Sequence, residues 1–147
     1  MKRILSVVLL AVLLISVLPG NCLAAETEDS VVTYFADGSY MVETIHVVQS
    51  RASGTTSGSK EKVLYDSNGN ADWKAVLTGT FTYTGYSATC TAASCNVTVY
   101  DSTWYTISKS GNTAYGSVTM GQKLLSVTVT EVPASLSLQC DADGNLS

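Results

Sequence analysis

The sequence has 147 residues, with eight Lys or Arg against twelve Asp or Glu and a formal net charge of −4. An acidic surface repels phosphate backbones, so we expect no nucleic-acid partner. The chain is long enough for one domain with a hydrophobic core, and its two prolines are too few for a proline-rich linker.

The first 25 residues have the layout of a secretory signal peptide. A basic start at 1–3 is followed by an apolar run at 4–18, a helix-breaking Pro-Gly pair at 19–20 and small residues at 21–25. This order of positive end, apolar middle and small-residue exit predicts export from the cytoplasm.

Cleavage is predicted after Ala24 or Ala25, which leaves 26–147 as a single secreted domain with a net charge of about −6. An uncleaved membrane anchor is the main alternative, although a spanning helix needs about 20 apolar residues. Lipid attachment at Cys22 is disfavoured because Asn21, which precedes it, is not one of the small residues typical of such sites. We expect a secreted or extracellular protein, with a place on a bacterial cell surface as one possibility.

Short runs rich in Thr, Val and Tyr alternate with turn residues through the rest of the chain, and no period near 3.6 persists. The runs predict strands at 31–35, 40–48, 63–66, 72–84, 86–90, 95–99, 104–108, 114–120, 125–130 and 136–140. A Ser/Thr/Gly loop is expected at 50–59. Eight to ten short strands favour an all-β, antiparallel two-layer β-sandwich, with a barrel as the second choice.

The clearest strand is 72–84. Its inward face is predicted to carry Trp73, Ala75, Leu77, Phe81 and Tyr83, and its other face is mainly Lys and Thr. Two breaks are predicted further along the chain, a turn at 110–112 and a strand end at Pro133.

Three cysteines remain after signal removal, namely Cys90, Cys95 and Cys140. Cys90 and Cys140 share their strand faces with apolar residues, so a Cys90–Cys140 disulfide is favoured. A bridge across its loop of about 50 residues stabilises a fold by roughly 4 kcal/mol in the chain-entropy model. A Cys90–Cys95 bridge and three free thiols are the alternatives, and no metal site through sulfur is expected.

Four segments together resemble small secreted proteins of unknown function from anaerobic Gram-positive gut bacteria. They are YFADGSY at 34–40, LTGTFTYTGYSATC at 77–90 following Trp73, SGNTAYG at 110–116, and LQCDADGNLS at 138–147. The resemblance covers nearly all of the predicted mature chain. It implies the Cys90–Cys140 pairing, with Cys95 as an addition in this chain, and it implies no activity.

Catalytic residues are not predicted. His46 is the only histidine, and no serine lies in a nucleophile elbow that would make His46 its base. Carboxylate pairs for glycoside cleavage could be drawn from Glu43, Asp66, Asp72 and Asp101, but no spacing selects a pair. We expect no enzyme activity and no cofactor.

Two binding alternatives depend on residue pattern. Oxygen-bearing side chains alternate at 66–72 and at 141–145, as in calcium loops, although Asx/Gly-rich turns explain both segments without a metal. Exposed aromatic side chains could form a carbohydrate platform; the candidates are Trp104, Tyr105, Tyr86, Tyr100 and Tyr115. The sequence therefore predicts a non-catalytic surface or interaction component whose partner is an extracellular protein or glycan. Carbohydrate binding and calcium-stabilised adhesion are the alternative functions.

Overall fold

The computed structural model describes residues 27–48, 54–112 and 114–147, and the predicted signal peptide lies outside these ranges. The described residues are all-β. The strands are β1 (Thr27–Tyr34), β2 (Tyr40–Val48), β3 (Thr55–Tyr65), β4 (Ala71–Tyr83), β5 (Ala88–Val99), β6 (Trp104–Asn112), β7 (Tyr115–Leu124) and β8 (Val127–Ser137).

The strands form two antiparallel sheets. Sheet A has the order β1-β2-β3-β4-β5 and sheet B the order β6-β7-β8. Within each sheet every strand pairs with the next along the chain, so both sheets are simple meanders. The sandwich prediction is confirmed, and the barrel alternative is wrong because the two sheets do not close on each other.

The hydrophobic core lies between the sheets. The predicted inward face of the clearest strand is confirmed, since Trp73, Ala75 and Leu77 are fully buried and Phe81 nearly so. Sheet B supplies the opposing layer, in which Met120 is fully buried with Val118, Ala134 and Leu136 beside it, and Leu138 extends this layer just after β8. The alternating pattern of 72–84 predicted this face because successive strand residues point to opposite sides.

The two sheets differ in width, and this difference positions the candidate site. In the described residues, the backbone of β8 lies close to β3 and β4, whereas the backbone of no strand of sheet B approaches β1 or β2. The face of β1 and β2 that points toward sheet B therefore extends beyond the edge strand β8. Val31 on this overhang is 63% exposed. We call this open side of the sandwich the flank.

The two ends of the sandwich also differ. At one end the chain after β8 turns back, and Gln139 and Ser147 exchange backbone hydrogen bonds of 2.9 and 3.0 Å. This turn covers β3 and β4, because the Cβ position of Gly58 lies 2.6 Å from Leu146 Cδ1 and that of Gly144 lies 2.6 Å from the Tyr83 ring. The turns that follow β1, β3 and β5 lie at the opposite end.

The predicted loop at 50–59 is wrong where it is described, because β3 begins at Thr55. Ser57 and Ser59 lie on the outer face of sheet A, where hydroxyls are solvated, and Ser57 Oγ donates to Thr80 Oγ1 at 3.1 Å. Position 58 favours glycine, because the Cβ of any other residue would lie 2.8 Å from the His46 carbonyl oxygen. A polar composition suggested a loop, but the pairing with β4 forms a strand.

Other predicted boundaries need correction. The separate runs at 86–90 and 95–99 are one strand, and the predicted turn at 110–112 belongs to β6. The strand from 125 does not end at Pro133, since β8 continues to Ser137. Proline is tolerated there because β8 is an edge strand and needs no ladder bond on its free side.

Candidate functional site

A cavity of about 530 Å³ opens on the flank, at the end of the sandwich opposite the C-terminal turn. It lies between the edge of β8 and the overhanging part of sheet A, and the turns after β1 and β3 form its mouth. Cavities of this size, with an apolar floor and a few polar groups, are typical of small-ligand and side-chain binding sites. We call it the flank cavity.

The lining of the flank cavity divides into two parts. The apolar part consists of Phe35, Met41, Leu64, Trp104, Val132 and Pro133. The polar part consists of Asp37, Ser39, Asp66, Ser67, Asp72, Gln122, Thr130 and Glu131. Four of the polar residues are carboxylic acids, and none of the described lining residues is Lys or Arg.

Two of these acids close the turns that bear them. Asp66 accepts hydrogen bonds of 2.8 Å from the backbone N–H groups of Asn68 and Asn70, and their side-chain amides donate to its other oxygen. Asp37 accepts from the hydroxyl and the backbone N–H of Ser39 at 2.6 and 3.0 Å. These hydrogen bonds lower the pKa of both carboxyl groups, so both are ionised at neutral pH.

Asp72 reaches the cavity through a β-bulge. Leu64 pairs with Trp73 and Tyr65 with Ala71, so Asp72 is the extra residue of β4. Its residue surface is 8% exposed. Burial, followed by the nearby carboxylates of Asp101 and Asp66, raises the pKa of Asp72. The indole N–H of Trp104 lowers this pKa in part, although the pair does not meet the geometry of a full hydrogen bond.

The other two candidate acids lie outside the cavity lining. Glu43 is on the overhang of sheet A, 2.9 Å from Lys62 Nζ and 3.3 Å from Lys60 Nζ. Burial raises the pKa of Glu43, but the two ammonium groups outweigh this effect and lower it. Asp101 accepts a hydrogen bond of 2.8 Å from the backbone of Thr103 in the turn before β6. The structure therefore brings only Asp66 and Asp72 of the four into the cavity.

His46 lies on the outer face of sheet A, away from the flank cavity. Its Nε2 is 3.8 Å from Glu61 Oε1, and the other oxygen of Glu61 is 3.5 Å from Lys74 Nζ. These three side chains form a partly exposed ionic cluster on a flat sheet surface. This position does not place His46 beside the acids of the cavity.

The two candidate calcium segments are the same kind of turn. Asp141 accepts backbone hydrogen bonds from Asp143 and Asn145 as Asp66 does from Asn68 and Asn70. Both turns use a glycine with positive φ, 85° at Gly69 and 91° at Gly144. In the part of the chain that the structure describes, no three His, Cys, Asp or Glu side chains are placed to hold a metal ion.

The structure does not bring the five candidate aromatic side chains together into one platform. Trp104 is 6% exposed and packs edge-on against Trp73, with ring centroids 6.3 Å apart. The Tyr105 ring is covered by Lys123, whose Nζ lies 4.2 Å from its centroid. Tyr86 and Tyr100 flank opposite ends of β5. The fifth candidate, Tyr115, lies on sheet B with its hydroxyl 3.4 Å from Ser135 Oγ. These side chains form no common flat surface.

A different aromatic group was missed by sequence reasoning. Tyr34, Tyr40 and Tyr65 line up across β1, β2 and β3 on the outer face of sheet A. Their ring centroids are 5.7 and 5.0 Å apart, and the second pair is stacked. The sequence could have indicated the Tyr34–Tyr40 pair, because these two residues lie on either side of the first hairpin turn and are cross-strand partners. The Tyr34 ring is tilted by 40° against Tyr40, and Tyr40 stacks on Tyr65. This ladder therefore stabilises the edge of the sheet and does not present coplanar faces to a sugar.

The described cysteines are free thiols in the structure. Cys90 and Cys140 are both half-buried against the same core. Cys90 is the cross-strand partner of Phe81, while Phe81 and Leu138 both contact the Cβ position of Gly79. The two cysteines thus lie at the same end of the sandwich, and the Cys90–Cys140 bridge stays a prediction.

Cys95 has a packing role that the sequence did not indicate. Its side chain is buried between the sheets, 2.5 Å from the Cβ position of Gly111 and, at Sγ, 3.1 Å from that of Gly116. Two glycines of sheet B therefore leave the space that this side chain fills. Burial raises the pKa of Cys95, partly offset by Lys109, and a protonated buried thiol is a weak nucleophile.

In the described ranges, no helical segment has the length and apolar character that crossing a membrane requires. Comparison with protein-family models, with curated proteins and with solved structures found no match. The site is therefore interpreted from its own geometry.

Proposed function

We propose that this chain is a secreted, non-catalytic binding domain, an extracellular or cell-surface component that takes its ligand in the flank cavity. The observation that carries the proposal is the cavity itself, about 530 Å³ in volume, with an apolar floor and a polar rim. It is placed on the side of the sandwich where sheet B leaves part of sheet A uncovered.

A non-catalytic role is supported by what the cavity acids already do. The Asp66 and Asp37 carboxylates accept hydrogen bonds within their own turns, and their lowered pKa makes them weak bases. Neither Asp37 nor Asp66 is then free to act with Asp72 as the carboxylate pair that glycoside cleavage requires. These acids serve to shape the mouth of the cavity and to give it negative charge.

An extracellular place is supported by the signal-like first 25 residues and by the resemblance to small secreted proteins. An exported domain has access to peptides, glycans and small solutes outside the cell. Its partner is accordingly proposed to be an extracellular molecule, and nucleic acid is disfavoured by the acidic charge.

The test is a matched pair of substitutions on β8. Thr130→Trp fills the cavity from an exposed lining position, and Val127→Trp adds the same side chain on the same strand outside the lining. The purified exported protein is screened against glycans, short peptides and amines by thermal shift. We expect hits that bind the wild type and Val127→Trp but lose binding to Thr130→Trp.

Two results would contradict the proposal. One is a panel in which no compound shifts the wild-type protein. The other is a set of hits that bind Thr130→Trp as well as they bind the wild type, because the flank cavity would then not be the binding site.

A further inference from the structure

The ionisable side chains that line the flank cavity are all carboxylic acids. Asp37, Asp66, Asp72 and Glu131 line it without any described Lys or Arg among the lining residues. Asp37 and Asp66 are held ionised by the hydrogen bonds of their turns. Such a concave acidic mouth concentrates cations and repels anions.

The floor of the cavity adds a second requirement on the ligand. Trp104 lines this floor and is 6% exposed. Its indole Nε1 has no full hydrogen-bond partner among the described residues. Met41 and Leu64 are buried beside it, and Phe35 lines the mouth. A ligand that fits must therefore carry an apolar stem as well as a positive group, because a bare metal ion would leave this surface unfilled.

The wall of the cavity indicates how such a group would be presented. One side is formed by 130–133 of β8, the outer strand of sheet B. Apart from Pro133, which has no N–H, this free edge carries unpaired backbone N–H and C=O groups, and an extended peptide can add to it as a further strand. A peptide lying along β8 would also cover the overhang of β1 and β2.

We propose that the flank cavity binds a lysine or arginine side chain of an extended peptide that lies along the free edge of β8. This inference rests on the proposed binding function and specifies the ligand class. The ammonium or guanidinium group faces the four carboxyl groups, and the methylene stem lies against Phe35, Met41 and Trp104.

The experiment measures binding of an uncharged, Gly/Ser/Val-rich octapeptide with one central lysine to the exported protein, by calorimetry at low ionic strength. The same peptide with Nε-acetyl-lysine and free n-butylamine are the comparison probes. We expect acetylation to weaken binding at least about tenfold, because it removes the charge that the cavity recognises. Butylamine is expected to bind at least about tenfold more weakly than the lysine peptide, because it cannot pair with β8.

Two substitutions test the acids. Glu131→Gln removes an exposed charge of the lining, and Asp66→Asn removes a charge while leaving one oxygen to accept the two backbone hydrogen bonds of the turn. Each is expected to weaken binding of the lysine peptide about threefold to fivefold. Asp141→Asn is the matched control, since it changes the same type of turn at the far end of the sandwich. It should leave the affinity within about twofold.

The outcomes separate this inference from the function on which it rests. Equal binding of the lysine and acetyl-lysine peptides, or an equal loss in Asp141→Asn and Asp66→Asn, would overturn the recognition of a cation by the cavity. Butylamine that binds as tightly as the peptide would overturn the strand-addition part. A neutral ligand that is lost in Thr130→Trp, with no binding of the lysine peptide, would refute the cationic ligand and leave the proposed function standing. If no probe of any class depends on Thr130, both proposals fail.

Discussion

At the scale of single residues, Asp72 shows how one bulge changes the environment of a carboxyl group. Strict alternation along 72–84 would place Asp72 on the face opposite Trp73, because successive strand residues point to opposite sides. The extra residue in β4 instead turns it into the flank cavity, where it is mostly buried. A bulge has no signature in the alternation of this segment, so the sequence named Asp72 as a candidate acid but did not predict its burial in the cavity.

Asp72→Asn should have a melting temperature equal to or above that of the wild type at pH 7. The pKa of Asp72 is raised in the folded state above its ordinary value of 3.8. The charged form therefore lowers folding stability at pH values above 3.8, and this penalty disappears as the pH falls toward 3. The difference between variant and wild type is accordingly expected to shrink on acidification, which thermal unfolding from pH 7 to pH 3 would measure.

The control for this prediction is Asp143→Asn, which removes an exposed negative charge at the other end of the sandwich. It separates a local effect from a general effect of net charge. A melting temperature of Asp72→Asn clearly below the wild type at pH 7 would show that ionised Asp72 stabilises the fold.

A second prediction at this scale concerns the fit between Cys95 and sheet B. Gly116→Ala would place a methyl group 3.1 Å from Cys95 Sγ and 3.4 Å from Leu77 Cδ1. Such overpacking is expected to cost about 1–3 kcal/mol of unfolding free energy. In a Cys95→Ala background the sulfur is absent, so the same substitution should cost less. Urea unfolding of the four proteins in this double-mutant cycle gives the coupling energy, and additive effects would contradict the packing role of Cys95.

At the scale of elements, the sequence predicted the presence of strands and turns better than the residues at which the strands begin and end. The strands at 31–35 and 40–48, the Asx/Gly-rich turn within 66–72 and the strand beginning at 72 were all predicted, because the turn residues between them act locally. The strand at 55–59 and the continuation of β8 through Pro133 were missed. Both depend on which strand lies alongside, and local composition does not contain that information.

The edge position of β8 can be tested with proline itself. Pro133 pairs with Thr119 of the central strand β7. Thr119→Pro should destabilise the domain by about 3 kcal/mol or more, because β7 has neighbours on both sides and would lose a ladder hydrogen bond. Pro133→Ala should change the stability by less than about 1 kcal/mol. Guanidinium unfolding would measure both, and comparable losses would be inconsistent with a free edge at β8.

At the scale of the whole molecule, the candidate site results from an arrangement that no single segment encodes. The flank cavity exists because five strands face three, and because the turns after β1 and β3 meet the edge of β8 there. The acids Asp66 and Asp72 were among the sequence candidates. Asp37, Glu131 and the lining from β8 were not, since their proximity follows from the stacking of the two sheets. The fold class was predictable from local pattern, whereas the composition of the cavity was not.

The last prediction concerns the disulfide state of the cysteines after export. Export removes Cys22 if cleavage follows Ala24 or Ala25, and it delivers Cys90, Cys95 and Cys140 to an oxidising compartment. Cys90 and Cys140 lie beside the same core residues, while Cys95 is enclosed between the sheets. We therefore expect the exported protein to have an N-terminus at residue 25 or 26 and one disulfide, Cys90–Cys140.

Intact mass and alkylation of the exported protein measure both features. Without reductant, alkylation after unfolding should modify Cys95 alone. Cys140→Ser should lower the unfolding free energy by roughly 4 kcal/mol, because the bridge closes a loop of about 50 residues. For comparison, Cys140→Ser and the wild type should have similar stability under reducing conditions. Three alkylated thiols without reductant would exclude the bridge, and the half-buried pair would then be stabilised by packing alone.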